Sequence, residues 1–204
     1  MNELIVSTAY LPPIAFFVSI VETKRITVEQ HENYLKQTYR NRCHILSANG
    51  ILPLSIPVIK TDGNHTKLIN IQISNINNWQ LNHWRAIESA YNKSPFFLYY
   101  RDELETFYLR KFNNLLEFNS ELLSFLLRKI GLKIEIIFSD DFLSIQNEEN
   151  DLRFKFSPKK EEVIQFPHYY QVFEEKFGFI PNLSIIDLLF NEGPETLNYL
   201  ESVK

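Results

Sequence analysis

Short apolar runs alternate along the chain with polar breaks marked by proline or glycine, and this punctuation predicts most of the elements. Leu4-Ile5-Val6-Ser7 is an apolar run of strand length. Pro12-Pro13 then opens the apolar run 14–20 where a helix can begin, because proline lacks the amide hydrogen that a first helical turn leaves unpaired. Ile26-Thr27-Val28-Glu29 reads as the next strand, so strand, helix and strand in under 30 residues predict a βαβ unit. Residues 31–42 are dense in polar and cationic groups and fit either a helix or an ordered loop. Beyond them, 42–47 and 51–58 flank Asn49-Gly50, the pair that most readily supplies two positive φ angles to a type I′ turn, which predicts a β-hairpin. Pro53 and Pro57 cannot donate to a ladder, so the second arm belongs at an edge or a bulge. Over 68–74, Ile69, Ile71 and Ile73 share one face and Asn70 and Gln72 the other, the pattern of a one-sided strand.

The period then becomes helical. Trp84, Ile87 and Tyr91 mark a helix within 78–93, and Leu104, Phe107 and Tyr108 mark one within 101–112. The clearest is 115–130, where Leu115, Phe118, Leu122, Phe125 and Leu126 form a stripe opposite Glu117, Glu121, Ser124 and Arg128, and Gly131 stands where a helix ends. A strand is expected over 133–138, a loop over 139–150, and an edge strand over 152–156 that Pro158 ends. Ser184 precedes a short helix over 185–190, and Gly193-Pro194 breaks the chain before a second one through Leu197, Leu200 and Val203. The order predicts one α/β layered domain over 1–204, with a mixed sheet, an inserted β-hairpin and a central block of three helices.

Composition narrows the class. A chain of 204 residues can bury roughly 70% of its unfolded surface, and 45% hydrophobic with 23% charged residues excludes an intrinsically disordered chain. Aromatic residues reach 14%, so the core should be bulky and buried tyrosine hydroxyls need partners. A net charge of -4 argues against binding nucleic acid through the whole surface, because neutralising phosphates needs a basic face. Cys43 stands alone, which rules out an intrachain disulfide and fits a reducing cytoplasm. The start lacks a basic segment followed by an apolar stretch, and no run approaches the about 20 apolar residues of a spanning helix. A cytoplasmic protein without membrane insertion is therefore expected.

Among chemical motifs, the absences come first. The chain holds no phosphate-binding loop motif, no dinucleotide fingerprint and no nucleophile elbow, and five glycines leave little material for a phosphate cradle. Its five histidines are scattered, with no pair four residues apart, so no metal site is predicted from spacing, although folding could gather distant ligands, and the cofactor is left unknown. The densest segment is 29–42. Read as a surface helix, it would place Glu32, Lys36 and Arg40 on one ion-paired face. Read as a site, it offers Lys36, Arg40 and Arg42 to an anion, with arginine suited to a bidentate grip. His31, beside Glu32, could then move a proton near neutral pH. Tyr10 and Pro12 follow the first strand, at the end where open α/β sheets take ligands, though a plain turn would look the same. Trp79 and His83 lie one helical turn apart and suit either core packing or stacking on a sugar. Ser184 and Asp187 resemble a capping box, which assigns Asp187 to backbone amides.

Several of these stretches resemble the WbqC-like protein family. They are Ser7-Thr8-Ala9-Tyr10-Leu11-Pro12-Pro13, the run from Glu29 to Arg42, Leu54-Ser55-Ile56-Pro57-Val58, Trp79 with His83, and the run from Leu183 to Glu195, in order along nearly the whole chain. The resemblance implies a link to bacterial surface-polysaccharide (O-antigen) gene clusters. Longer relatives carry an acidic pair where this chain has Gln30-His31, while Lys36, Asn41 and Arg42 match; residues 139–150 look like the remnant of an additional segment. The expected activity is acyl or aminoacyl transfer to a nucleotide-linked amino sugar. Its candidates are His31 and Lys36 for catalysis, and Tyr10, Gln30, Arg40, Asn41, Arg42 and His83 for the substrate. The expected partner is an anionic small molecule such as a nucleotide-sugar, and a homo-oligomer is left open. A non-catalytic scaffold subunit is one alternative. A nucleotidylyltransferase-like protein is another, weakened because such enzymes carry paired histidines at the start of the first helix and this chain has none.

Overall fold

The structure, a computed structural model, describes residues 3–144, 149–159 and 164–203. Its strands are β1 (Leu4–Val6), β2 (Arg25–Val28), β3 (Arg42–Ser47), β4 (Gly50–Ser55), β5 (Val58–Ile59), β6 (Gln72–Ile73) and β7 (Glu135–Phe138). Its helices are α1 (Ile14–Ile20), α2 (Trp79–Tyr91), α3 (Phe97–Leu109), α4 (Leu115–Ile130), α5 (Glu174–Phe177), α6 (Ile185–Glu192) and α7 (Thr196–Ser202).

The α/β layered class is realised around a parallel sheet in the order β1-β2-β7, so the first βαβ unit forms as its spacing predicts. Asp151 extends the sheet beyond β1 by a parallel bridge to Ile5: the Ile5 amide donates to Asn150 at 2.9 Å and the Leu152 amide to Ile5 at 2.8 Å. The β3–β4 hairpin and the short β5–β6 pair are antiparallel and stand as separate ladders, so the mixed sheet expected from sequence is instead a parallel sheet with detached antiparallel pairs. The parallel strands therefore deliver the chain after Val6, Val28 and Phe138 to one common edge.

Local chemistry explains the turns around that edge. Pro13, extended at φ -67° and ψ 161°, precedes the first residue of α1. Leu11 sits at φ 42°, an unusual value for a side-chain-bearing residue. It is held there by neighbours: Ser184 Oγ donates to the Leu11 carbonyl at 2.9 Å, and the Ile185 amide donates to Pro12 at 2.9 Å. In α4 the Asn114 side chain accepts the Glu117 amide, and Gly131 at φ 91° takes the left-handed position, as its sequence predicts.

Three local expectations change. The hairpin forms, but Ser47 pairs with Gly50 and only Gly50, at φ 98°, goes positive, so the turn centres on Ala48-Asn49 and is not type I′. Of the two readings of 31–42, the ordered loop is the one found, over residues 31–41 before β3 begins: the Tyr34 amide bonds Thr66 and the Leu68 amide bonds Glu32, at 2.9 and 3.0 Å. The same bonds claim the segment expected as a strand over 68–74, which keeps Ile71 and Ile73 inside but extends only at Gln72 and Ile73. The edge strand expected over 152–156 is displaced to the Asp151 bridge, and residues 153–155 turn away. Of the loop expected over 139–150, residues 145–148 lie outside the described residues.

The core is an aromatic stack under the βα turn. Tyr10 stacks on His83 at 5.6 Å, while Trp79 meets His83 and Phe118 edge-on at 5.2 and 5.6 Å. The need of buried tyrosines for partners is met at Tyr10, whose hydroxyl lies 2.9 Å from both His83 Nδ1 and the Tyr108 hydroxyl. At the end of α6, Gly193 has φ 53°, and a Cβ there would lie 2.5 Å from the Phe96 ring. Gly193→Ala is expected to cost about 2–3 kcal/mol through clash and strained φ, read as a lower urea midpoint at unchanged slope.

Candidate functional site at the carboxyl edge of the sheet

Ionisable side chains from four segments gather where the parallel strands end. Glu29 and Glu32 follow β2, Ser7 follows β1, Ser139 follows β7, Asp151 forms the bridge to Ile5 and Arg153 lies just after it. Glu29, Glu32, Arg40 and Arg153 are 0%, 3%, 4% and 3% exposed, so all four charges sit inside the protein. Burial of this kind is costly unless every charge is paired.

Each is paired. Arg40 grips Glu32 through Nη2 at 2.8 Å to both carboxylate oxygens and through Nε at 3.2 Å. Ser7 Oγ donates to the same carboxylate. Burial raises Glu32 above the usual carboxylate range despite Arg40, Ser7 and Arg153, which pull it down. Glu29 accepts the His31 amide at 2.6 Å, Ser139 Oγ at 3.0 Å and the Leu143 amide at 2.6 Å, with Arg153 Nη1 at 3.6 Å. Arg153 also holds Asp151 and donates to the Leu143 carbonyl at 2.9 Å. For Asp151, burial pushes up but the Arg153 bonds win and hold it low. The result is two parallel arrangements, Ser7–Glu32–Arg40 and Ser139–Glu29–Arg153, on either side of β2.

A constricted cavity of about 20 Å³, room for about one water, opens beside the first of these. Ser7, Thr8, Ala9, Tyr39, Arg40 and Arg153 line it, together with Phe16 and Phe156.

The candidates read from sequence fall into three groups. His31, Gln30 and Arg40 belong to the strand-end cluster: the His31 ring Nε2 lies 3.2 Å from the Ser139 carbonyl, and Gln30 Nε2 donates to the same oxygen at 2.7 Å. Lys36, Asn41 and Arg42 stand outward of it. Asn41 Nδ2 donates to Ile56 at 2.8 Å and Arg42 Nε to Ser55 Oγ at 2.9 Å, both bracing the hairpin. Exposed Lys36 lies beside Lys60, whose ammonium is lowered by desolvation and by the Lys36 charge. Tyr34 links the first two groups: burial raises its hydroxyl to about 12, against the pull of both Arg40 and Arg42. Tyr10 and His83 are brought together, but in the core beneath the turn, where burial drops His83 to about 4.

Asp187 is corrected from its expected capping role. Its carboxylate is wholly buried and accepts Tyr169 Oη at 2.6 Å and Gln171 Nε2 at 2.9 Å, while Tyr91 lies beside it outside hydrogen-bond geometry. Sequence reasoning passed over Ser7, Ser139, Asp151 and Arg153 as site residues. The available signal was position: Ser7 and Ser139 come immediately after strands of the parallel sheet, and Asp151 and Arg153 lie at and just beyond the residue bridged to Ile5.

Among the described residues, no three His, Cys, Asp or Glu side chains gather to hold a metal ion, and no helix is long and apolar enough to cross a membrane. No solved structure matches the chain. The "Uncharacterized protein Rv1507c" of Mycobacterium tuberculosis (strain ATCC 25618 / H37Rv) is 26% identical over 222 residues, covering 96% of each chain. The residues that build the strand-end cluster fall almost wholly inside a second match, over residues 8–162 and 153–199, by which the chain belongs to the WbqC-like protein family.

Proposed function

We propose that this WbqC-like protein is an enzyme of bacterial surface-polysaccharide precursor synthesis, transferring an acyl or aminoacyl group to a nucleotide-linked amino sugar. The supporting observation is the buried cluster of Glu29, Glu32, Arg40 and Arg153 at the carboxyl edge of the parallel sheet. Apolar side chains of similar volume would hold that region together at least as well, so a fold alone gives no reason for four buried charges. Open α/β sheets take their ligands at this edge, and binding sites are where such costs are repaid.

In this reading the loop after β2 supplies both ends of the site. His31 handles the proton near neutral pH. Lys36, with Lys60 beside it, holds the phosphate of the nucleotide-sugar, since two neighbouring ammonium groups gain most from a shared anion. Asn41 and Arg42 complete the rim, and the Tyr10–His83 pair supports the turn from beneath.

Thermal-shift titration with nucleotide-linked amino sugars tests the assignment. Wild type is expected to be stabilised, and Lys36→Ala and Arg42→Ala are each expected to weaken binding about tenfold, the loss of one charge-assisted contact. Stabilisation that survives both substitutions would reject the rim as the phosphate site.

A further inference from the structure

The two Ser–Glu–Arg arrangements differ in one respect that bears on chemistry. Ser139 is buried and its oxygen is engaged twice, donating to Glu29 at 3.0 Å and receiving the Gln30 amide at 3.2 Å. Ser7 is half-buried, lines the strand-end cavity and donates to Glu32. Glu32 in turn is fixed by Arg40 through both carboxylate oxygens. A hydroxyl at a cavity wall, bonded to a base that a third group orients, is the arrangement that activates a nucleophile.

We propose that Ser7 is the acyl-carrying nucleophile of this site and Glu32 its general base. This rests on the acyl-transfer reading above and adds a covalent step to it. The acyl donor is an activated ester or thioester. As the Ser7 oxygen bonds to the donor's carbonyl carbon, its proton passes to the Glu32 carboxylate, and the donor's carbon–oxygen or carbon–sulfur bond breaks. The leaving alkoxide or thiolate takes the proton back from Glu32. The amine of the acceptor sugar then attacks the Ser7 ester, the new amide bond forms, and the amine's proton returns through Glu32 to the Ser7 oxygen. Atoms and charge balance with no oxidant or metal. The second arrangement, shut inside the protein, holds the end of β7 against the loop after β2.

Burial favours this role for Glu32, because a carboxylate raised above its ordinary value is a stronger base. Arg40 is a positioning residue here, touching Glu32 and not the reacting oxygen.

Incubating the protein with p-nitrophenyl acetate, followed by peptide mass spectrometry, tests the proposal without knowledge of the natural donor. The expected result is one acetyl group on Ser7, absent in Ser7→Ala and retained in Ser7→Cys, which puts a thiol in the same place. Glu32→Gln should slow labelling at least about 100-fold, the usual size of a general-base contribution. It should also remove the acid limb of the labelling-rate pH profile, which a purely structural Glu32 would leave in place. Should Glu32→Gln fail to fold, the Ser7→Ala and Ser7→Cys pair still decides the question. No acetyl at Ser7, or equal labelling of Ser7→Ala, overturns the proposal. Labelling of Ser7 without any stabilisation by nucleotide-sugars would keep the nucleophile and reject the sugar acceptor; stabilisation without labelling would do the reverse.

Discussion

Replacing Arg40 by methionine is expected to remove about 3–5 kcal/mol of folding stability, the cost of breaking a buried pair from one side. Glu32 is 3% exposed and would keep Ser7 as its one remaining side-chain hydrogen-bond partner among the described residues, with the Arg153 charge nearby. The loss should shrink as pH falls. Without Arg40, burial raises the Glu32 carboxyl further above its unfolded value, and a group raised in the folded state contributes stability at low pH that is lost as pH rises. The double variant Glu32→Met with Arg40→Met should recover most of the stability, because two apolar side chains need no pairing. It should also be unable to acylate Ser7. Urea denaturation of wild type and the two variants at pH 5 and pH 8 reads both effects, and a double variant as unstable as the single one would show that the cluster is held together by something other than this pair.

The second large effect concerns Asp187. Its carboxyl is raised from 3.8 to about 6, mainly by burial and against the Tyr169 bond, the nearby Tyr91 hydroxyl and the Gln171 bond. The stability it contributes is therefore fully present below pH 4 and lost as pH rises through 6. His83 runs the other way: burial lowers it from 6.5 to about 4, so its contribution is present above pH 6.5 and lost as pH falls through 4. Over the same window the two slopes oppose, and wild-type stability should change little between pH 4 and 6.5 on their account. Asp187→Asn keeps an oxygen that can accept from Tyr169 and Gln171 and removes the titration. Relative to wild type, the variant is expected to gain about 3 kcal/mol on going from pH 4 to pH 7, the free energy of that displacement. Its own stability should fall steeply in acid, because the slope of His83 is then unopposed. Chemical denaturation across that range checks the sign, and a variant whose stability parallels wild type at every pH would show that the Asp187 carboxyl takes up its proton alike in the folded and unfolded chain.

The particular residues show which parts of this protein are written locally. The stripe over Leu115–Ile130 with Gly131 behind it gave α4 to the residue, since burial periodicity and a left-handed cap both lie within the segment. The Pro12-Pro13 break placed α1 for the same reason. Where backbone partners come from far along the chain, local pattern misleads. Ile69, Ile71 and Ile73 have the spacing of a strand, yet the amides of Leu68 and Ile69 are taken by Glu32 and Gln30, and only two residues extend.

The site follows the same division. Sequence density pointed to residues 29–42, and the helical spacing of Glu32 and Arg40 suggested an ion pair. The pair exists, but a loop folded back by Thr66 and Leu68 makes it, and it faces inward where a surface helix would have shown it to water. Ser7, Ser139 and Arg153 join Glu29 and Glu32 only because three strands run parallel and end together, a property of topology that no single segment contains. Asp187 shows the limit of motif reading: its spacing from Ser184 fits a cap, while Tyr169 and Gln171, from a separate stretch, claim the carboxylate.

Amide chemical-shift mapping during titration with a nucleotide-linked amino sugar bears most directly on where this protein works. Saturable shifts at Ser7, Thr8, Ala9, Glu29 to Lys36 and Ser139 are the predicted result. Shifts confined to the far side of the molecule, at α7 or the turn of the β3–β4 hairpin, or none at saturating ligand, would contradict a substrate site at the carboxyl edge of the sheet.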